Sequence, residues 1–276
     1  MKILITGHKG FIGQNLVNAL LAEHELSFYE WDPNFFPWGK LPQVQGLDWV
    51  IHLGANSSTT EQDLEKIMIQ NYDFSKQLYE ECNKHGVNLQ YASSASVYGN
   101  TDNFSVDAPK NPLNYYAWTK YLFDRWVEKR QHSIVVQGFR YFNVYGPNES
   151  HKREQASPYT RFIKQATETK KVKVFENSEN YKRDFIHVYD VCDIHKQMLN
   201  INKSGIWNVG TGKAVSFLDV AEAVCEKYNS TMEFISMPDN IKNQYQYFTC
   251  ADNTNSLFNK EFIDIVEYIK NHENIH

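Results

Sequence analysis

Three glycines stand at the junction between a predicted strand and a predicted helix. The segment GHKGFIGQN, residues 7–15, follows the apolar run KILIT and precedes the helix-like run LVNALLAEH. In such a junction the first glycine permits a tight turn, the second lets the backbone approach a pyrophosphate, and the third lets the helix pack closely on the strand. The phosphates are held at the helix N-terminus, where free N–H groups and the macrodipole favour negative charge. The junction predicts a dinucleotide-binding loop formed by Gly7, Gly10, Phe11, Ile12 and Gly13.

An acidic residue ends the second apolar run. Asp32 follows ELSFYEW and lies 25 residues after Gly7. A carboxylate near this position accepts hydrogen bonds from the adenosine ribose of a dinucleotide. Asp32 therefore favours the free ribose hydroxyl of NAD, whereas Lys40 is suited to the 2′-phosphate of NADP. The two signals conflict, and the residues alone leave both cofactors open.

Strand-like and helix-like segments alternate along the first half of the chain. The runs WVIHLGA, NLQYASS and IVVQGFRYFNV are separated by the amphipathic segments DLEKIMIQNYDFSKQLYEECNKHG and YYAWTKYLFDRWVEKRQ. This alternation predicts an α/β fold with a doubly wound parallel sheet. We expect a dinucleotide-binding domain of residues 1–142 with 185–211, in which RDFIHVYDVCDIHKQML returns to the main sheet. Residues 143–184 with 212–276 are expected to form a smaller substrate-binding lobe.

The segment after Asp32 is too short for a complete first half of such a sheet. Only 16 residues, PNFFPWGKLPQVQGLD, precede the next strand near Trp49, and three of them are prolines. Because one parallel crossover takes a dozen or more residues, two crossovers and a strand do not fit. We expect the third strand to be absent or vestigial, so that residues 26–31 form the sheet edge. The aromatic residues expected to cover that side are Trp31, Phe35, Phe36 and Trp38.

Composition and residue spacing argue against several classes of function. The net charge of −5, with both signs interspersed, does not suggest a nucleic-acid or anionic-membrane partner. No apolar run approaches the roughly 18 residues of a membrane span, and the chain opens directly on a strand, so a soluble cytoplasmic protein is expected. Ten histidines form no metal-binding motif, and we expect no metal site. Reduced thiols are expected for the scattered Cys82, Cys192, Cys225 and Cys250.

Three side chains form a candidate proton-transfer set. Ser94 ends the predicted strand in YASSASVYG, and Tyr116 precedes Lys120 by four residues in YYAWTK. The i to i+4 spacing puts Tyr116 and Lys120 on one face of a helix. A phenol has a pKa near 10, but a neighbouring ammonium and an oxidised nicotinamide both favour the phenolate. Tyr116 is predicted to take a hydroxyl proton while hydride leaves the same carbon. Ser94 holds the substrate oxygen, and Lys120 also binds the nicotinamide ribose.

The glycine loop and the Ser94, Tyr116 and Lys120 set resemble the extended short-chain dehydrogenase/reductase family, which includes nucleotide-sugar epimerases and dehydratases. The match covers nearly the whole chain and implies an NAD(P)-binding Rossmann fold. Longer strings look much like the ADP-heptose 6-epimerase subgroup: GANSSTTE, GFRYFNVYGPNESHK, FENSENYKRDF, WNVGTGKAVSF and QYQYFTCAD. That resemblance implies transient oxidation of the sugar side chain by bound NADP, with NAD as the alternative cofactor, and return of hydride to the opposite face.

The same resemblance implies roles for further residues. If the ketone turns over before reduction, its oxygen no longer faces Tyr116, and a second proton donor is needed. Lys152, in NESHK, matches the position of that donor. Asn71 and the SSTTE stretch are expected to line the cofactor. The residues expected to bind a nucleotide-diphosphate sugar are Ser94, Asn143, His151, Arg161, Phe175, Arg183 and Tyr245, with Arg183 and Tyr245 on the diphosphate.

Departures from the family pattern keep alternatives open. REQASPYTR, residues 153–161, lacks the small residues usual after the lysine, and Arg161 stands where the subgroup has histidine. A dehydratase is disfavoured because Ser94 is followed by Ala95 and Ser96 rather than by an Asp-Glu pair. The alternatives are a 4-epimerase or reductase of a UDP- or GDP-sugar, and a dinucleotide-sensing protein without turnover. A homo-oligomer is compatible with all of them.

Overall fold

The computed structural model describes residues 1–31, 41–54, 56–149, 152, 155–238, 246–258 and 260–272. Internal contacts divide the chain into two compact units. The first unit comprises Met1–Gly99, Pro109–Tyr141 and Cys192–Asn208, and the second comprises Asn100–Ala108, Phe142–Val191 and Val209–His276. Relative to the boundaries expected from the sequence, residues 100–108, 142, 185–191 and 209–211 belong to the second unit.

A six-stranded sheet forms the first unit. Its strands are β1 (Lys2–Thr6), β2 (Glu25–Tyr29), β3 (Trp49–His52), β4 (Asn88–Ser94), β5 (Val136–Tyr141) and β9 (Gly205–Val209). They lie in the order β2-β1-β3-β4-β5-β9, and the pairings from β2 through β5 are parallel. The residues of β3 and β5 are buried throughout, as expected of parallel strands covered on both faces. The predicted α/β fold with a parallel sheet is confirmed.

The edge position of β2 is also confirmed in the part of the chain that the structure describes. There β2 pairs with β1 alone and is the outermost strand of the sheet. Val44, between β2 and β3, is buried in the core instead of contributing to a strand. Trp31 packs edge-on against Phe74, with ring centroids 5.4 Å apart. The other aromatic residues expected over this edge, Phe35, Phe36 and Trp38, lie outside the described residues.

Capping residues explain where helices of the first unit begin and end. They are α1 (Phe11–Leu20), α2 (Leu64–Met68), α3 (Phe74–His85) and α4 (Tyr115–Glu128), with a single π-helical turn at Ile69–Asp73 joining α2 to α3. Asn114 caps α4 by accepting a hydrogen bond from the Ala117 N–H. Gly86 ends α3 in the left-handed conformation, with φ of +70°. Single π-helical turns of this kind are frequent at functional sites.

The second unit contains two small sheets. Strands β6 (Asn143–Tyr145), β8 (Lys182–His187) and β10 (Ala214–Ser216) form one sheet in the order β10-β8-β6, and β7 (Lys171–Phe175) pairs in parallel with β11 (Thr231–Ile235). Helices α5 (Pro158–Thr169), α7 (Phe217–Tyr228) and α8 (Ile265–Asn271) contribute side chains to its core, while α6 (Val188–Met198) crosses the boundary between the units.

One predicted strand assignment is wrong. RDFIH was expected to return to the main sheet, but it forms β8 between β6 and β10. The sixth strand of the main sheet is β9 instead. Asp184 helps to hold β8 in its place, because its carboxylate accepts hydrogen bonds from the N–H groups of Thr211, Gly212 and Ala251. The sequence of a strand does not by itself say in which sheet the strand pairs.

Candidate active site

The glycine loop has the shape that a pyrophosphate requires. Gly7 has φ of +72°, and a Cβ added there would lie 2.6 Å from the Gly54 backbone nitrogen. A Cβ on Gly13 would overlap the Gly7 carbonyl oxygen. Gly10 is the N-cap of α1 and provides no side-chain cap, so the first turn presents backbone N–H groups at the positive end of the helix dipole. These residues fit a bound dinucleotide.

Glu30 is a functional candidate that the sequence argument missed. It directly follows β2, and its Oε1 accepts the Lys9 N–H at 2.8 Å. The same oxygen lies 2.9 Å from the His8 Nδ1 atom. Glu30 is therefore an acidic residue that contacts the glycine loop, whereas Asp32 lies outside the described residues. In the sequence Glu30 lies inside the apolar run ELSFYEW, and only the end of β2 at Tyr29 singles it out.

Ser94 and Tyr116 are brought together as predicted. The Ser94 hydroxyl oxygen accepts hydrogen bonds from the Ser96 N–H at 3.2 Å and from the Ser96 hydroxyl at 2.9 Å. Ser94 is left to donate its own proton to the Tyr116 oxygen. Burial raises the pKa of Tyr116 and the hydrogen bond from Ser94 opposes that rise. Ser96, which the sequence argument did not single out, thus fixes the direction in which Ser94 donates.

Lys120 lies on the same helix and is buried. Its Nζ atom donates to the Ala92 carbonyl oxygen at 2.7 Å and lies 5.9 Å from the centre of the Tyr116 ring. Burial lowers the pKa of Lys120 to about 8, although the negative charge of Asp124, one helical turn further along α4, acts in the opposite direction. The side chain is therefore charged at neutral pH and close to its titration point.

Asn71 lies in the π turn, and its side chain is buried against protein groups. Its Nδ2 atom donates to the Asn56 carbonyl oxygen at 2.9 Å and to the Thr119 hydroxyl at 3.1 Å, while its Oδ1 atom accepts the Asn56 N–H at 2.8 Å. Both hydrogens of the amide are thereby used. Asn71 connects the segment after β3 to helix α4. Its predicted direct contact with a cofactor stays a prediction.

Asn143 and Lys152 belong to the second unit. Asn143 begins β6, and its Oδ1 atom lies 3.3 Å from the Thr249 hydroxyl. The Lys152 Nζ atom lies 3.6 Å from the buried carboxylate of Glu149. Glu149 also accepts hydrogen bonds from the Ser157 N–H at 2.8 Å and from the Ser157 hydroxyl at 2.6 Å, at the start of α5. Glu149, the ion-pair partner of Lys152, is therefore bound to the N-terminus of α5.

Arg183, Phe175 and Arg161 are the other described residues predicted to bind substrate. The Arg183 guanidinium donates to the backbone carbonyls of Lys182, at 2.9 Å, and of Gln246. Phe175 is half-buried at the end of β7, and Arg161 is exposed in the first turn of α5. Their predicted roles as substrate ligands remain predictions. His151 and Tyr245 lie outside the described residues.

Membrane-spanning helices and metal-binding clusters are both absent from the described residues. None of the helices there is both long and apolar enough to cross a membrane. Within the same part of the chain, no group of three or more His, Cys, Asp or Glu side chains is arranged to hold a metal ion.

The parallel sheet, the glycine loop and the Ser94, Tyr116 and Lys120 set define a dinucleotide-dependent enzyme class. A family model, described as the NAD dependent epimerase/dehydratase family, matches residues 3–210. The chain belongs to this family. One relative, an ADP-L-glycero-D-manno-heptose-6-epimerase from Brachyspira hyodysenteriae, is 38% identical over 283 aligned positions, covering 91% of this chain and 89% of the relative.

Solved structures agree with this assignment. The ADP-L-glycero-D-manno-heptose-6-epimerase of Helicobacter pylori is 29% identical, with a TM-score of 0.77, and the match covers 86% of this chain and 84% of that one. The enzyme MoeE5, solved with UDP-glucose and NAD, is 25% identical, with a TM-score of 0.76, and the match covers 91% of this chain and 89% of that one.

Proposed function

We propose that this protein is a nucleotide-sugar epimerase that inverts a side-chain carbon of an ADP-linked heptose through a transient ketone. The observation that carries the proposal is the Ser94, Tyr116 and Lys120 arrangement beside a glycine loop that fits a dinucleotide. The 38% identity to a heptose 6-epimerase supports this choice of sugar. A dinucleotide sensor is disfavoured because binding alone does not require an oriented proton-transfer set.

Tyr116 is the base for the first step. A bound nicotinamide dinucleotide supplies the hydride acceptor and later returns the hydride. Tyr116 removes the hydroxyl proton, Ser94 donates a hydrogen bond that favours the phenolate, and the Lys120 ammonium adds a nearby positive charge. Burial raises the pKa of Tyr116 and the hydrogen bond from Ser94 lowers it, so the phenolate depends on stabilising partners of this kind.

Lys152 is the proton donor for the second step. Once the ketone has turned over, its oxygen faces away from the group that deprotonated it, so reduction to the inverted alcohol needs another acid. Lys152 matches the position of that acid in the heptose epimerase subgroup, and its ammonium lies 3.6 Å from the buried Glu149 carboxylate. In the reverse reaction, Lys152 is the base and Tyr116 the acid.

NAD is the cofactor that the geometry supports better. Family members are described as NAD dependent, and MoeE5 was solved with NAD. The Glu30 carboxylate at the glycine loop is suited to accept hydrogen bonds from ribose hydroxyls. A 2′-phosphate there would meet a like charge, which disfavours NADP, the cofactor that the sequence resemblance placed first.

The proposal is tested with a panel of ADP-heptoses and of UDP- and GDP-hexoses, using NMR to follow epimerisation. Conversion of an ADP-heptose between its two side-chain epimers is the expected result. Conversion of a UDP- or GDP-hexose at C4 alone would support the alternative 4-epimerase. No conversion of any sugar by protein loaded with dinucleotide would contradict the proposed function.

Lys152→Ala separates the two steps. The epimer that Tyr116 deprotonates should reduce the dinucleotide in a single turnover, followed at 340 nm, at close to the parental rate. The other epimer should react at least about 10²-fold more slowly, as expected for loss of a general acid/base. Lys164→Ala, which changes an exposed lysine on α5, is the control. Parental rates from both epimers would rule out Lys152 as the second acid.

A further inference from the structure

His52, at the end of β3, makes two directed hydrogen bonds inside the first unit. It is 4% exposed, its Nδ1 atom lies 2.7 Å from the Thr6 hydroxyl, and its Nε2 atom lies 2.9 Å from the Ser75 hydroxyl. The Ser75 hydroxyl gives its single proton to the Asn71 carbonyl oxygen, at 2.5 Å. Ser75 must therefore accept from the His52 Nε2–H, which leaves Nδ1 to accept from Thr6. The hydrogen bonds thus fix one neutral tautomer of His52.

At its other end this chain of hydrogen bonds reaches the glycine loop. The Thr6 hydroxyl oxygen accepts the Gly54 N–H at 3.1 Å. Gly54 is the residue against which Gly7 packs, so closely that a Cβ on Gly7 would lie 2.6 Å from the Gly54 nitrogen. The position of Gly54 therefore limits the position of the loop that is shaped for a pyrophosphate.

From Asn71 the connection continues to the helix that carries the proton-transfer residues. The Asn71 side chain donates to the Thr119 hydroxyl at 3.1 Å, and Thr119 donates to the Tyr116 carbonyl oxygen at 2.7 Å. Asn71, Ser75 and Thr119 are all buried. A buried polar group that loses its hydrogen bond destabilises the folded state. Each residue in this series of hydrogen bonds therefore restrains the position of its neighbours.

We propose that His52 is a positioning residue for the dinucleotide, which couples the glycine loop through Thr6 and Gly54 to the Asn71 turn and so to the Tyr116 helix. Such coupling makes dinucleotide binding and the placement of Tyr116 depend on one another. The inference rests on the proposed function only in taking a dinucleotide as the ligand of the loop. Burial, together with the positive charge of Lys120, lowers the pKa of His52 to about 3, which keeps the ring neutral and the hydrogen-bond direction fixed at neutral pH.

The first test measures NAD affinity by calorimetry in variants at the two ends of this series of hydrogen bonds. Thr6→Val and Thr119→Val each remove a hydroxyl and nearly keep the side-chain shape, and each should weaken NAD binding about tenfold. The double variant should bind about as weakly as either single variant, because one break already uncouples the ends. Tyr79→Phe is the control, since it removes a hydroxyl bonded to His132 at 2.8 Å elsewhere in this unit. It should leave NAD affinity unchanged.

Two results of that experiment would overturn the proposal. One is NAD affinity within about twofold of the parent in both single variants. The other is a double variant about a hundredfold weaker than the parent, the product of two independent effects. His52 itself adds a comparison: His52→Gln keeps a donor and an acceptor and should bind NAD more tightly than His52→Leu. Equal affinity of these two variants would contradict a role for directed hydrogen bonds.

A second test needs no ligand and separates this proposal from the proposed function. Amide hydrogen exchange of the Ile69–Asp73 turn should be about tenfold faster in Thr6→Val than in the parent, and unchanged in Tyr79→Phe. Unchanged exchange in Thr6→Val would refute the coupling. If the parent fails to bind NAD while Thr6→Val still speeds exchange of the turn, the cofactor assignment fails and the internal link stands.

Discussion

In the proposed mechanism the Lys120 ammonium favours the Tyr116 phenolate, and the separation of the two groups sets the scale of the expected effect. The Lys120 Nζ atom lies 5.9 Å from the centre of the Tyr116 ring, and on α4 Lys120 is buried while Tyr116 is partly buried. At an effective dielectric constant of about 20, two unit charges at that separation interact by about 3 kcal/mol. That energy corresponds to about a hundredfold in the phenolate population. Lys120→Met should therefore slow hydride transfer by about 10² at pH 7.

The pH dependence of this effect follows from the pKa of Lys120, which burial lowers to about 8. Below pH 8 the parent has the ammonium and the variant does not, so the rates differ by the full factor. Above pH 8 the parent loses the charge as well. The ratio of the parent and variant rates should fall from about 10² at pH 7 to a few-fold at pH 9.5.

Single-turnover reduction of the dinucleotide, read at 340 nm at saturating cofactor and substrate, isolates the chemical step from any change in affinity. Lys129→Met, which removes an exposed lysine at the C-terminal end of α4, should match the parent at every pH. An equal ratio of rates at pH 7 and pH 9.5 would refute the electrostatic role of Lys120. A loss below about threefold at pH 7 would refute it as well.

Three further predictions follow from the same structure. Tyr116→Phe should bind NAD like the parent and lose at least about 10² in turnover; near-parental turnover would exclude Tyr116 as the base. Gly13→Ala should abolish measurable NAD binding, because its Cβ would overlap the Gly7 carbonyl oxygen. Calorimetry measures this affinity, and parental affinity in the variant would contradict the prediction. Burial lowers the pKa of His52, His187 and His195 to about 3 from the ordinary 6.5. The unfolded chain therefore binds protons that the folded chain does not bind. The contribution of these histidines to the free energy of unfolding is complete above pH 6.5 and falls as the pH drops towards 3. The combined slope approaches about 4 kcal/mol per pH unit, and urea titrations between pH 7 and 5 measure it.

The sequence predicted the features whose cause is local. The glycine loop needs only a strand, a turn and a helix in succession, and Gly7 has the positive φ that such a turn requires. Tyr116 and Lys120 were predicted to share a face because four residues of helix put them there, and α4 contains both. The edge position of β2 followed from a count of residues too few for another crossover.

Features that depend on distant parts of the chain were not predictable in this way. The strand β8 is buried like a main-sheet strand, but it pairs with β6 and β10. What helps to hold it there is the Asp184 carboxylate, which binds backbone groups of residues 211, 212 and 251. Nothing near Asp184 in the sequence indicates those partners, because they follow it by many residues.

The end of the second strand decides which acidic residue can contact the glycine loop. The rule that an acidic residue lies about 20 residues after the glycine loop is a consequence of strand length, since the carboxylate must emerge where the second strand ends. In this chain β2 ends at Tyr29, so the next residue, Glu30, is the one whose carboxylate contacts the backbone of the loop at Lys9. Asp32, two positions further on, lies outside the described residues, and its predicted contact with the adenosine ribose stays a prediction. The same reasoning applies to His52, which ends β3 beside Thr6 at the end of β1. At the carboxyl edge of a parallel sheet, the pairing of strand ends decides which polar side chains meet.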